Sequence, residues 1–334
     1  MSRHIRAHPR TSAHSRDGTD GAGAPGDDAL VARLHPDQVG TDAALVRRLL
    51  SEQFPQWAAL PLEPLRESGT DHDVYRLGAE LSVRLPKIGW AAGQAPMEAA
   101  WLPRLAPQLP VAVPVVAALG QPGAGYPFGW SVQEWLPGER ADPADDDSDA
   151  LASDIATFLT ALHRIDPAGA PPRDPDARGG PLATGDEQVR DCLAQLAGRL
   201  DAATALERWQ ESLAAPPWDG GEVWVHGDLL PGNLLVRGGR LAAVIDFGAL
   251  TVGDPACDLL PAWNLFSGPR RRQLRADLQA SDGIDEADWL RGRGWALRQA
   301  LVALPYYWDT HPGIRAQALR AVGEVLADNA ASAS

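Results

Sequence analysis

The 334 residues hold 44 Asp plus Glu against 30 Lys plus Arg, a formal net charge of −14, which excludes nucleic-acid binding through a general basic field. Hydrophobic residues are 45 % and charged residues 22 %, a globular composition that excludes a wholly disordered or fibrous chain. Two cysteines, Cys192 and Cys257, are too few for a disulfide scaffold, and their spacing suits no metal site, so a cytoplasmic location is expected.

Residues 1–28 are His, Arg, Ser, Gly and Asp with almost no large apolar side chains. They predict a disordered tail, or a start codon placed upstream of the true one. Thr41 is the expected cap of a helix in which Leu45, Val46, Leu49, Leu50 and Phe54 share one face, closed by Pro55. Strand-like runs follow at 62–68, 74–77 and 81–85, the last two joined by a hairpin at Gly78-Ala79-Glu80. A helix surrounds Glu98 with Trp101, Leu102 and Leu105 on its apolar side, and further strands fall near 115–119 and 130–135. Residues 105–133 carry no formal charge, but Pro107, Pro110, Pro114, Pro122 and Pro127 interrupt them, so a membrane-spanning helix is not expected.

Pro137-Gly138 breaks the pattern, and residues 142–149 read as an acidic, solvated linker. Beyond it the chain is mostly helical: a helix over Leu151 to Leu162, a loop over 167–185, helix over 186–213, then helical patterns towards the C-terminus with breaks at Pro305 and at His311-Pro312-Gly313. A strand-and-loop block from Glu222 to Phe247 interrupts these helices. The outline is an α+β chain: a small antiparallel-β N-lobe over 29–137 and a larger, mainly helical C-lobe over 138–334.

The interrupting block carries the chemistry. It reads His226-Gly227-Asp228-Leu229-Leu230-Pro231-Gly232-Asn233 after one apolar run and Ile245-Asp246-Phe247-Gly248 after another. Asp228 and Asn233 flank a Pro-Gly turn, and Asp246 ends a strand, so three polar groups stand at the ends of a small β element. Phosphoryl transfer needs such a set, because its transition state spreads negative charge and catalysis is mainly positioning and neutralisation. Asp228 suits the base that takes the acceptor hydroxyl's proton. Asn233 and Asp246 offer the oxygen ligands that suit Mg²⁺. Order and spacing match a kinase catalytic loop followed by an Asp-Phe-Gly element.

With Gly253-Asp254-Pro255-Ala256 and Asp258-Leu259 added, the pattern resembles the aminoglycoside phosphotransferase family, which is similar to choline kinases and more distantly to protein kinases. The resemblance covers roughly residues 40–330 and is sharp over 222–260. It implies a two-lobed, protein-kinase-like fold and an enzyme that moves phosphate from ATP or GTP, with Mg²⁺, to a small-molecule alcohol. An aminoglycoside antibiotic leads, inactivated to give resistance; a macrolide, choline, a sugar, an amino alcohol and a binding-only protein are the alternatives. Gly227 stands where protein kinases carry Arg, and no long activation segment fits between Gly248 and Gly253, so a protein acceptor is not expected.

The resemblance further implies that Ser68 and Gly69 lie in the loop covering the phosphates. Arg84 would contact the phosphates with Glu98 as its ion-pair partner, although Lys87, the one lysine, stands close by. Backbone groups near Glu134 and Leu136 would meet the purine, and His226 and Asp258 would support the catalytic loop. Trp263, Tyr306, Trp308 and Asp309 are candidates for the acceptor site, where a carboxylate beside aromatic faces would suit a cationic acceptor. No obligatory protein partner is expected.

Overall fold

The computed structural model describes residues 37–65, 69–173 and 177–328; the tail expected over 1–28 and Ser68 lie outside the described residues. Helix α1 (Ala43–Gln53) buries Leu45, Val46, Leu49 and Leu50, the face its periodicity implies. Its cap is Asp42 and not Thr41. The Asp42 carboxylate accepts the Leu45 N–H at 2.6 Å, while the Thr41 hydroxyl turns away to donate to Asp73 at 2.7 Å. A side chain one position nearer the helix lines up with the third free N–H, and a carboxylate is the stronger acceptor there.

Five antiparallel strands make the N-terminal sheet: β1 (Leu62–Pro64), β2 (His72–Leu77), β3 (Leu81–Pro86), β4 (Val116–Gly120) and β5 (Trp130–Glu134), in the order β1-β2-β3-β5-β4. The β2–β3 hairpin turns at Gly78, where φ is +61°. Alternation along β3 sends Val83 and Leu85 into a core with Leu49, Tyr75, Trp130 and Val132 against α1. Ser82 and Arg84 face the other way, towards the cleft. Helix α2 (Gln94–Leu105) joins β3 to β4; Leu102 and Leu105 belong to the core of the C-terminal region, so this helix ties the two regions together.

The C-terminal region opens with β6 (Glu139–Arg140) and α3 (Asp149–His163), which Ser148 caps. The acidic stretch before α3 is more than a solvated linker. Asp147 accepts the Ser267 N–H at 3.3 Å and also its hydroxyl, and Asp149 pairs with Arg270 at 2.9 Å. The helix expected over 186–213 is two, α4 (Asp186–Gln195) and α5 (Ala202–Ala214), because Gly198 takes φ +77° between them. Then come β7 (Val223–Val225), β8 (Leu234–Arg237), β9 (Arg240–Val244) and β10 (Thr251–Gly253), pairing as β6-β8-β9 and β10-β7. Helices α6 (Pro261–Asn264), α7 (Gly268–Ser281), α8 (Glu286–Tyr307) and α9 (Pro312–Ala327) complete the chain.

Pro305 does not break α8. It sits in the last turn, where one backbone bond is lost, and burial of Leu301, Leu304 and Tyr307 holds the helix to its end. No helix among the described residues is long and apolar enough to cross a membrane.

Candidate active site

The β7–β10 pair and the β8–β9 hairpin present the polar groups of the block on one side of the cleft. The backbone turns at Gly227, whose φ is +78°; a Cβ there would lie 2.8 Å from the Ala249 carbonyl oxygen, so glycine is required. Asp258, fully buried, accepts the N–H of His226 at 2.8 Å and of Gly227 at 2.7 Å. The His226 ring donates from Nε2 to the Ile245 carbonyl at 3.1 Å and accepts the Asp228 N–H on Nδ1 at 3.2 Å. Both ring nitrogens are thus committed to backbone, which fixes the neutral tautomer and leaves the ring packed on Phe247.

The Asp228 carboxylate is held at both oxygens. Asn233 Nδ2 donates to Oδ2 at 3.2 Å and to the Asp228 carbonyl at 2.8 Å; Gln299 Nε2, from α8, donates to Oδ1 at 2.6 Å. Burial pushes the Asp228 carboxyl above its usual range; the neighbouring Arg178 guanidinium opposes this and the nearby Asp246 adds to it.

Asp246 adopts φ +62°, ψ +64°, a left-handed conformation that costs a non-glycine residue energy and turns its carboxylate towards the cleft. Arg84 bridges the lobes: Nη1 donates to Glu98 at 3.1 Å and Nη2 to Asp246 at 3.1 Å. Gln133 donates to Glu98 at 2.7 Å from β5. Burial would raise the Asp246 carboxyl, but the Arg84 guanidinium, by its charge and its hydrogen bond, pulls it below the ordinary carboxylate range, so Asp246 is an anion. His72 is buried beside Arg84 and pushed down to about 3, so it is neutral. Asp71, next to it, is pushed up to about 7 by burial and by the Asp246 and Asp228 carboxylates, against a hydrogen bond from Thr70.

Lys87 is buried and donates to the Gly69 carbonyl at 3.0 Å while pairing with Asp73 at 3.1 Å. It ties the end of β3 to Gly69 and to Asp73 of β2. Arg84 faces the cleft. Glu134 is exposed and Leu136 half-buried; their backbone is fixed by the Glu134 N–H on the Val115 carbonyl at 2.9 Å and the Trp135 N–H on the Glu80 carbonyl at 2.7 Å. An open cavity of ≈ 550 Å³ beside this segment is bounded by Arg76, Leu81, Glu134 and Trp135.

The four acceptor candidates separate. Trp263 is fully buried, stacks on Trp289 at 4.9 Å and donates to Asp328 at 2.9 Å. It is a core residue, and the expectation that it touches an acceptor is corrected here. Trp308 lies between Arg199 and Arg315, 4.6 and 5.8 Å from its ring, and Asp309 is exposed beside it. Tyr306 packs on Tyr307, 4.7 Å between ring centroids, and Tyr307 bonds Thr70 of the N-terminal region. Of the four, Tyr306 is the one on which Asp71 of the N-terminal region acts electrostatically.

Sequence reasoning missed Gln299, Arg178, Gln133 and His163. The buried His163 donates from Nδ1 to the Asp282 carboxylate at 2.6 Å and lies 3.6 Å from Asp258, the residue that grips the His226-Gly227 backbone. Burial lowers the affinity of His163 for a proton, but the two carboxylates outweigh it and push its pKa up to about 9. A histidine raised on folding stabilises fully below its ordinary value near 6.5 and loses that contribution as pH climbs through 9. Urea unfolding should therefore show stability falling between pH 6.5 and 9 by at most ~3 kcal/mol from this group. His163→Gln should flatten that fall. An unchanged slope would mean that the pair carries no linked proton.

A family model described as the phosphotransferase enzyme family matches residues 62–295. A comparison with curated proteins gives no match. Among solved structures, the GDP complex of wild-type aminoglycoside 2'-phosphotransferase-IIIa aligns with TM-score 0.67 at 19% identity, covering 86% of this chain and 99% of that one. The gentamicin complex of APH(2")-IIa aligns with TM-score 0.58 at 22% identity over 87% and 98%. Macrolide 2'-phosphotransferase MphH from Brachybacterium faecium, as apoenzyme, gives 0.56 at 22% over 83% and 97%. At these identities the likeness shows the two-lobed kinase-like fold.

Proposed function

The chain belongs to the phosphotransferase enzyme family, and on that premise we propose that it transfers the terminal phosphate of ATP or GTP to a hydroxyl of a small molecule, an aminoglycoside antibiotic in the first place. The observation that carries this reading is the half-buried Asp228 carboxylate, oriented at both oxygens by Asn233 and Gln299. Asp228 accepts the proton of the attacking hydroxyl as the bond to phosphorus forms. Orientation by two fixed donors keeps the carboxylate in place without reorganisation.

Asn233 and Asp246 would hold magnesium. The fit is chemical: an amide oxygen and a carboxylate that Arg84 keeps ionised are hard oxygen donors on the phosphate side of Asp228. Magnesium supplies neutralisation of the charge on the phosphate oxygens when bound. The donor phosphates would lie against Gly69 and Arg84, whose planar fork is already shared between Glu98 and Asp246. Ser68 belongs to the same proposed loop. The purine would meet the backbone at Glu134 and Leu136, next to the open cavity there. The N-lobe proposed over 29–137 thus takes the nucleotide, and the C-lobe over 138–334 the acceptor, near Tyr306, Trp308 and Asp309. His226 and Asp258 support the loop. Phosphorylation would remove the drug's affinity for its target.

A second reading, a sugar or another acceptor without positive charge, is favoured by Arg178, which stands 3.8 Å from Asp228. The test is incubation with Mg²⁺ and ATP or GTP across aminoglycosides, macrolides, choline and sugars, with mass spectrometry for an added phosphate and Asp228→Ala alongside. A phosphorylated aminoglycoside, lost in the variant, supports the first reading. Transfer to another acceptor keeps the chemistry and changes the substrate. Nucleotide binding with no transfer to any acceptor would overturn the enzyme reading.

A further inference from the structure

We infer that Arg178 and Gln299 form the part of the acceptor site that meets the group next to the reacting hydroxyl, and that this group is an oxygen function and not an ammonium. The inference rests on the phosphotransferase reading of Asp228.

The fold builds a place for Arg178. Its neighbour Gly179 has φ +73° and accepts the Asp254 N–H on its carbonyl at 2.9 Å. A Cβ on Gly253 would come within 2.3 Å of that carbonyl, so the segment lies directly against β10. Asp254 is itself clamped by Arg291 at 2.7 Å. On the other side, a Cβ on Gly227 would come within 3.0 Å of the Arg178 Cβ, so the arginine stem packs on bare backbone of the catalytic loop. The position is set by backbone on two sides, which makes the guanidinium's approach to Asp228 a property of the fold.

The Asp228 carboxylate has two sides. Oδ2 faces Asn233, the proposed magnesium side. Oδ1 accepts from Gln299 and lies 3.8 Å from Arg178 Nη2. Arg178 is therefore on the side from which an acceptor arrives. Its side chain is 26% exposed, and among the described residues its guanidinium contacts are this ion pair and the face of Trp295 at 5.9 Å, with no hydrogen bond. A structural arginine in this chain looks different: Arg291 places its donors on Asp254, Asp288 and the Pro216 carbonyl. Five N–H groups on Arg178 can serve an incoming ligand. The face of α8 that continues from Gln299 through Val302 and Ala303 carries no carboxylate of its own; the carboxylates of Asp37 and Asp71 act further along, at Tyr306.

A hydroxyl bonded to Asp228 sits roughly 2.7 Å from the carboxylate, and a substituent on the adjacent carbon about 3 Å further, which is within reach of the guanidinium. An oxygen there accepts a hydrogen bond. An ammonium there faces a like charge at close range in a partly desolvated site, a penalty on the order of 10- to 100-fold in kcat/KM.

The experiment compares wild type, Arg178→Gln and Arg178→Glu with Mg²⁺ and ATP or GTP. The acceptors are kanamycin, erythromycin, and the matched pair methyl glucoside and methyl 2-amino-2-deoxyglucoside. The phosphate is located by NMR, and melting temperature and nucleotide KM serve as controls for folding and donor binding. Wild type should phosphorylate a hydroxyl with no ammonium on an adjacent carbon, with kcat/KM higher for the glucoside by ~10-fold or more. Arg178→Gln should bring the pair towards equality, and Arg178→Glu should reverse it. Phosphate beside an ammonium in the wild-type product, or a ratio unmoved by Arg178→Glu, overturns this inference alone. Transfer to none of these acceptors by wild type overturns the phosphotransferase reading together with it.

Discussion

Asp228→Asn is expected to lower kcat by ~10²- to 10⁴-fold, the usual contribution of a positioned general base. The KM for nucleotide should change little, since the proposed donor contacts lie at Gly69, Arg84, Glu134 and Leu136. Asparagine keeps the shape and one acceptor oxygen but sets an N–H against the second of the two donors, Asn233 and Gln299, so melting temperature is the control that separates the proton-accepting step from folding. The pH profile adds a signed test. Burial raises the Asp228 carboxyl, and the base acts only when ionised. The acidic limb of kcat/KM should accordingly lie above the ordinary aspartate value of ~3.9, and activity should rise with pH through it. Steady-state kinetics from pH 4 upward in wild type and variant would show both effects. A variant that retains full kcat would remove Asp228 from the chemistry.

Arg84→Met should cost about 3–5 kcal/mol of stability, the range for breaking a buried ion pair at one partner. The reason lies in what stays behind. Glu98 is 1% exposed, and with Arg84 gone the hydrogen bond its carboxylate keeps among the described residues is the one from Gln133. Asp246 loses the cation that holds it ionised, so magnesium-dependent activity should fall as well. Urea unfolding measures the first effect and kcat/KM the second. Adding Glu98→Gln should recover much of the stability, because no buried charge is then stranded, while activity stays low. If the double variant is no more stable than Arg84→Met, the ion pair is not the source of the cost. Arg84→Lys should fall between, since one ammonium cannot span both carboxylates as the planar fork does.

The catalytic block was legible in the sequence because its groups are local. Asp228 and Asn233 are separated by five positions across a Pro-Gly turn, and a short turn between strands leaves little freedom in where such side chains go. The β2–β3 hairpin and the buried face of α1 were legible for the same reason: glycine at a positive φ and apolar periodicity act over a few residues. Arg84 facing away from Val83 followed from strand alternation alone. The errors also have local causes. Thr41 and Asp42 are both good caps, and only the register of the first turn separates them. Pro305 reads as a helix break, yet its place in the last turn of α8 makes it tolerable.

What the sequence by itself determined is the set of chemical groups: the carboxylate proposed as the base, the amide and carboxylate proposed for a hard cation, and the turns that present them. What only the tertiary structure decided is which distant groups complete that set. Gln299 reaches Asp228 across 71 positions, and Arg84 reaches Asp246 across 162. Arg178 and His163 come to the catalytic loop from a loop and a helix whose own sequences carry no sign of it. Trp263, equal to Trp308 on paper, became core because α6 is packed on every side. Such choices follow from how helices and sheets bury their apolar faces against one another. That packing is a property of the whole chain, and no window of a few residues contains it.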